Sequence, residues 1–196
     1  MAILPTEHKE IEIFIGHVLD AATSVFHEDL RGVYVHGSLA LGGYDPESSD
    51  LDVLIIASRP AKLSDASAIN RALTGYVNFE ISFLPEHAAR QFVPNSRFVS
   101  IRADGTVGFD VYGPDWVIQL YVVREYGIVV WGEAPNHIIR PITPEMLRKA
   151  AIGTLKSWWY PKLANRSSLM DGRYRIFAVL TMCRIIYTVR TGEVVS

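Results

Sequence analysis

The chain of 196 residues has a single cysteine, no excess of either charge and no long apolar run. Each shortage excludes a class of protein. One cysteine, Cys183, leaves no internal disulfide to form. It stands in the apolar stretch Val179 to Ile186, where a thiol serves as a small hydrophobe rather than a nucleophile, because reactive thiols need an electropositive, exposed setting. With 19 basic against 21 acidic residues the net charge is −2, too little positive charge to condense onto a phosphate backbone, so no nucleic-acid partner is expected. No stretch approaches the roughly 20 apolar residues of a membrane helix. The opening Met1-Ala2-Ile3-Leu4-Pro5 has no signal-peptide core, and a cytoplasmic protein without a membrane partner is expected. What is abundant is core material: 49% hydrophobic against 20% charged residues predicts a folded globular chain.

From Glu7 to Phe26, Ile11, Phe14, Ile15, Val18, Leu19 and Ala22 recur at spacings of three and four, which predicts a helix with one buried face and Thr6 as its N-cap. The period then changes. Gly32 to His36 reads as a strand ending at Gly37-Ser38, and Ser38 to Leu41 as one helical turn broken by Gly42-Gly43. Asp50 to Ala57 reads as a second strand, buried on both faces, Asp65 to Thr74 as a helix, and Val77 to Leu84 as a third strand. Pro94 to Pro114 shows no period and reads as loops and short extended pieces. A helix from about Trp116 to Tyr126, an extended Gly127 to Gly132, a helix opened by Thr143-Pro144 and running towards Trp158-Trp159, and a last helix from about Gly172 to Arg190, ending at Gly192, complete the reading. The expectation is an α/β domain over residues 1–139, a mixed sheet with flanking helices, and an all-helical C-terminal domain over 140–196.

Asp50 and Asp52 stand two apart on a predicted strand, so both carboxylates emerge on one face while Leu51, Val53 and Ile55 take the other. Two adjacent acids repel unless a cation lies between them, and hard oxygen ligands suit Mg²⁺ bridging to phosphate. On the third strand Phe79, Ile81 and Phe83 share one face, and Glu80 lies on the opposite one. Upstream, Gly37-Ser38 marks a strand-to-helix point where backbone N–H groups and a hydroxyl can hold phosphate oxygens. His36, Trp116, Trp131, Trp158, Trp159 and Tyr187 read as packing residues.

The ordered set Gly37-Ser38, Gly42-Gly43 and Ser49-Asp50-Leu51-Asp52-Val53-Leu54 resembles the nucleotidyltransferase superfamily. More narrowly the chain resembles the streptomycin/spectinomycin adenylyltransferases, whose helical domain has an arginine-bearing helix similar to Leu180 to Tyr187 with Thr191-Gly192. The resemblance implies Mg²⁺-dependent transfer of AMP from ATP to a hydroxyl of an aminoglycoside-type small molecule. It implies Asp50 and Asp52 as metal ligands and Glu80 as the base and a third ligand. Gly37, Ser38 and Ser49 would contact the phosphates, and Asp115 and Arg184 would be further nucleotide contacts. The acid that holds streptomycin in those relatives falls here near Tyr174, with Asp171 offset, so spectinomycin or another hydroxyl acceptor stays open. Adenylylation of a protein partner, as in toxin–antitoxin pairs, and a non-catalytic nucleotide-binding module are the alternatives. The resemblance further implies additional helices and an ATP-contacting lysine after Ser196, so a truncated chain with weak nucleotide binding is expected.

Overall fold

A computed structural model describes residues 9–164 and 172–195. Thr6, Glu7, Asp171 and Ser196, invoked above, lie outside the described residues. Helix α1 (Lys9–Phe26) leads through a 3₁₀ turn into strand β1 (Leu30–Val35) and the one-turn helix α2 (Gly37–Ala40). Strand β2 (Leu51–Ala57), helix α3 (Leu63–Ala72), strand β3 (Phe79–Pro85) and the short helix α4 (Glu86–Arg90) follow. Then come strands β4 (Arg97–Ile101) and β5 (Val107–Val111), helix α5 (Asp115–Tyr126), strand β6 (Ile128–Gly132) and the short helix α6 (Pro135–Ile138). Helix α7 (Pro144–Thr154) passes through a π-helical stretch, Leu155–Trp159, into α8 (Tyr160–Ala164), and α9 (Gly172–Thr191) is the last element.

The strands form one mixed sheet in the order β5-β4-β3-β2-β1-β6, with β2 and β3 parallel and the other neighbours antiparallel. Side chains alternate across a sheet, so each strand feeds two cores. Leu51, Val53 and Ile55 of β2 join Phe79, Ile81 and Phe83 of β3 beneath α1 and α3. Leu54, Ile56 and Leu84 face the opposite side and pack with Trp116 and Leu120 of α5 and with Ile138. Burial of β2 on both faces agrees with its uninterrupted apolar run.

The stretch between Pro94 and Pro114, read from sequence as loops and short extended pieces, forms the β4–β5 hairpin. Its signal is the Asp104-Gly105 turn between alternating segments. Glycine and aspartate at Gly108 and Asp110 thin out the apolar positions of β5, an edge strand with Phe109 and Val111 exposed. The helix from Pro144 starts as expected, with the Thr143 hydroxyl accepting from the Met146 N–H at 3.3 Å. It switches to π geometry before Trp158, which the apolar spacing did not reveal. Helix α9 packs on α7, and α7 on α5. Their shared core holds Ala151, Trp159, Ala178 and Ile185, with Ile118 from α5 at its edge. Cys183, expected among the packed residues, lies off that stripe and is exposed. Among the described residues no helix is long and apolar enough to cross a membrane.

Candidate active site

The even-numbered face of the sheet is apolar only at the α5 end. At the other end the same parity brings up Asp52 and Glu80, which are direct partners in the parallel β2–β3 register. Side chains of a parallel pair project from the same face, so the two carboxylates stand side by side. Ser82 and Ser100 form the next row, paired across β3 and β4.

Asp50 lies one residue before β2 rather than within it, and is exposed. A self-stitched loop delivers it. Asp45 accepts from the Ser48 hydroxyl at 2.6 Å and from the Glu47 N–H at 3.1 Å, while the Asp45 carbonyl accepts from the Ser49 N–H at 2.8 Å. The Ser49 hydroxyl accepts from the Asp45 N–H at 3.1 Å. The Leu51 N–H then donates to the Asn78 carbonyl at 2.9 Å and begins the ladder.

On the other side of Asp52, β1 ends at His36, whose N–H donates to the Asp52 carbonyl at 3.0 Å. Gly37 follows with φ of 63°, and a Cβ there would lie 1.9 Å from Oδ2 of Asp52. Both facts require glycine: the backbone is left-handed, and the carboxylate occupies the place of a side chain. Ser38 sits in the same one-turn helix. The His36 ring is buried, and burial lowers its pKa to about 4, so it is neutral at pH 7.

The electrostatics are those of a cluster of acids. Burial, then the charges of Glu80 and Asp50, push Asp52 up to about 7. Glu80 is raised by burial and by Asp50, and is held back by the Ala103 N–H and the Arg102 guanidinium. Neither aspartate nor Glu80 forms an ion pair among the described residues, and the nearby Arg102 is bound to Asp110 at 2.8 Å.

Hard oxygen donors, a surplus of negative charge and a glycine that keeps the backbone close fit a Mg²⁺–nucleotide phosphate group. No three His, Cys, Asp or Glu side chains among the described residues close into a cage unaided. A cation here would therefore complete its shell with phosphate and water oxygens, as Mg²⁺ does.

Asp115 opens α5, the helix that packs against α2, and its carboxyl folds over Gly113, where a Cβ would lie 2.3 Å from Oδ1. Burial raises its pKa. Arg184 is half-buried on α9. Among the described residues neither bonds to the three carboxylates, so the sheet brings together Gly37, Asp50, Asp52 and Glu80 but not Asp115 or Arg184. Sequence reasoning missed Arg102, Ala103 and Asp110, which border Glu80. The Asp104-Gly105 signal could have found them.

Residues 25–102 match the family described as nucleotidyltransferase domain. Those residues, under half of the chain, resemble a nucleotidyltransferase domain. The matched span runs from the end of α1 through β4 and holds Gly37, Asp50, Asp52 and Glu80. Among solved structures, the chain superposes on the spectinomycin adenyltransferase AAD(9) from Enterococcus faecialis, crystallised with ATP and spectinomycin. The TM-score is 0.75 and the identity 17%, over 94% of this chain and 78% of that one. That likeness establishes the shared fold, helical part included. A complex of the tri-AMPylated HEPN toxin of Shewanella oneidensis with its MNT antitoxin matches at TM-score 0.36 and 11% identity, over 82% of this chain and 98% of that one. A nucleotidyltransferase-like protein of Sulfolobus solfataricus matches at TM-score 0.27 and 24% identity, over 44% and 82% of the two chains. No curated protein matches the sequence.

Proposed function

We propose that this nucleotidyltransferase uses ATP with Mg²⁺ and moves AMP onto a hydroxyl of a small, cationic, aminoglycoside-type acceptor such as spectinomycin. The observation that carries the reading is the side-by-side Asp52–Glu80 pair next to Gly37. Asp50 and Asp52, with Glu80 at the edge, would hold the metal, which supplies charge neutralisation at the phosphates. Gly37, Ser38 and Ser49 would border the phosphates, and Asp115 and Arg184 would reach the rest of the nucleotide from the helical side.

Glu80 takes the proton of the acceptor hydroxyl as the acceptor oxygen bonds to the α-phosphorus. The bond from that phosphorus to its bridging oxygen breaks, and pyrophosphate leaves. A base works best with its pKa near the working pH, and the upward shift of Glu80 moves it that way. Asp50, Asp52, Glu80, Asp104 and Asp110 near one end of the sheet favour an acceptor with amino groups over nucleic acid. The acceptor would enter between an α/β unit of residues 1–139 and a helical unit of 140–196, since small-molecule sites favour such clefts.

The test is mass spectrometry of an aminoglycoside panel incubated with the protein, ATP and Mg²⁺. Addition of AMP to one member supports the reading. Transfer to none of them, with AMP appearing instead on a protein, would overturn the choice of acceptor.

A further inference from the structure

Arg102 is the cation that the sheet offers to Glu80. The antiparallel β3–β4 register pairs Ser82 with Ser100 and Ile81 with Ile101, and one further step sets Arg102 across from Glu80 on the same face. Directly opposed residues of an antiparallel pair have Cβ atoms about 4.5–5.5 Å apart, and opposite charges so placed attract. Glu80 is exposed, and a guanidinium fork matches a carboxylate, so the register favours an Arg102–Glu80 ion pair. Among the described residues that pair is not formed.

The guanidinium instead runs away along the sheet. Its Nη2 donates to Oδ1 of Asp110 at 2.8 Å and to the Phe109 carbonyl at 3.2 Å. In the β4–β5 register Gly108 pairs with Ser100 and Asp110 with Phe98, so Asp110 stands two rungs beyond the rung of Arg102 and Glu80. To reach it the side chain passes over Gly108, where a Cβ would lie 3.0 Å from Nη1 and 3.1 Å from Nη2. Asp110 is itself held by the hydroxyl of Ser100, a buried residue. A glycine that opens the path, an acid at its end and a serine that fixes the acid together hold one arginine away from one glutamate.

We infer that Asp110 is a positioning residue that diverts Arg102 from Glu80 and so leaves the Glu80 carboxylate free for the acceptor hydroxyl. The inference rests on Glu80 being the base of the proposed reaction. A carboxylate that carries a bidentate guanidinium has its lone pairs occupied, and it cannot take a proton from a hydroxyl until that pair opens. With Asp110 as the partner of Arg102, no such opening is needed.

Asp110→Asn keeps the size of the side chain and removes the charge that holds Arg102. Released, Arg102 should pair with Glu80, and kcat for AMP transfer should fall about 10-fold with KM for ATP close to the parent value, because a hydrogen bond between charged groups is worth at least about that factor. Gly108→Val blocks the path on an edge strand that suits valine, and should give the same loss. Rescue separates this from a structural role: Arg102→Gln added to either variant should restore the parent kcat, and Arg102→Gln alone should turn over normally. Asp110→Asn at the parent kcat, or a loss that Arg102→Gln does not restore, would overturn the inference and leave the Arg102–Asp110 pair as a hairpin staple. Apart from turnover, a crystal structure of Asp110→Asn should show the Arg102 guanidinium on the Glu80 carboxylate. An Arg102 still lying over Gly108 would overturn the inference. Should the parent modify no acceptor, or Glu80→Gln transfer at the parent rate, the base assignment fails, and the place of Arg102 in that structure still decides the diversion.

Discussion

Strand β2 and helix α9 are two apolar stretches of the chain with opposite fates. In β2, Val53, Leu54, Ile55 and Ile56 are all fully buried, because the sheet is covered on both sides. Among the described residues of α9 only the inner stripe, Ala178, Ile185 and Thr188, is buried, while Ile176 is 64% and Val179 62% exposed. A side chain at the end of a doubly covered strand has its backbone fixed by two cores. A side chain on a helix held along one stripe does not. The carboxylates at the mouth of β2 and β3 accordingly converge, while Arg184 on α9 makes no bond to them.

Asp52→Asn should reduce AMP transfer to background while raising the melting temperature of the metal-free protein at pH 8. The sign comes from the raised pKa. A group lifted from 3.8 to about 7 contributes stability that is present below 3.8 and is lost as pH rises through 7. At pH 8 the parent buries an ionised Asp52 among like charges, and asparagine removes that cost. The advantage of the variant should shrink as pH falls to 4. Melting curves at the two pH values, beside mass-detected transfer, check it. A variant less stable than the parent at pH 8 would show that Asp52 is a structural group and not a strained ligand.

Ile55→Ala tests the other face of the same strand. Ile55 is fully buried beneath α1 and α3, and such truncations cost about 2–5 kcal/mol. Urea unfolding should show a loss of that size. A loss below about 1 kcal/mol would mean that the covered face is loosely packed, and the contrast with α9 would fail.

The alternation that puts Asp52 and Glu80 on one face was legible in the sequence, because a period of two survives wherever a strand is buried. Phe79, Ile81 and Phe83 fell on the α1 side as read. Asp50 was misplaced by one residue: its carboxylate is positioned by the Asp45–Ser49 loop, which has no period to read. The β4–β5 hairpin escaped because an edge strand needs no apolar residue at every second position. Arg102 and Asp110 meet through hairpin pairing, eight residues apart in the chain. The π stretch before Trp158 left no trace in a 3.6-residue spacing.

His36 gives a smaller effect in the opposite direction. Its pKa is lowered from 6.5 to about 4 by burial, so its share of stability is present above 6.5 and is lost as pH falls through 4. The loss amounts to about 3 kcal/mol, because a tenfold change in proton affinity is worth about 1.4 kcal/mol. In the parent, Asp52 gains stability over the same window and masks the loss. In the Asp52→Asn background stability should fall steadily between pH 6.5 and 4, and His36→Asn should flatten the slope. A slope unchanged by His36→Asn would assign the acid sensitivity to another group.

The smallest effect is expected on α9, and it is the one that could collapse the comparison. Ile176 and Val179 stand one helical turn apart on the outer side of the helix, away from Ala178 and Ile185. A side chain that is mostly in water in the folded chain gains little on folding, and surface substitutions of this kind usually change stability by no more than about 0.5 kcal/mol. Serine ranks beside isoleucine and valine in helix propensity, so the change of residue type adds little further loss. The double variant Ile176→Ser and Val179→Ser should therefore unfold within about 1 kcal/mol of the parent in urea at low protein concentration, against the several lost by Ile55→Ala. A loss equal to that of Ile55→Ala would mean that the outer face of α9 is covered in solution. The helical part would then be as firmly packed as the sheet, and Arg184 would be held in place as rigidly as Asp52.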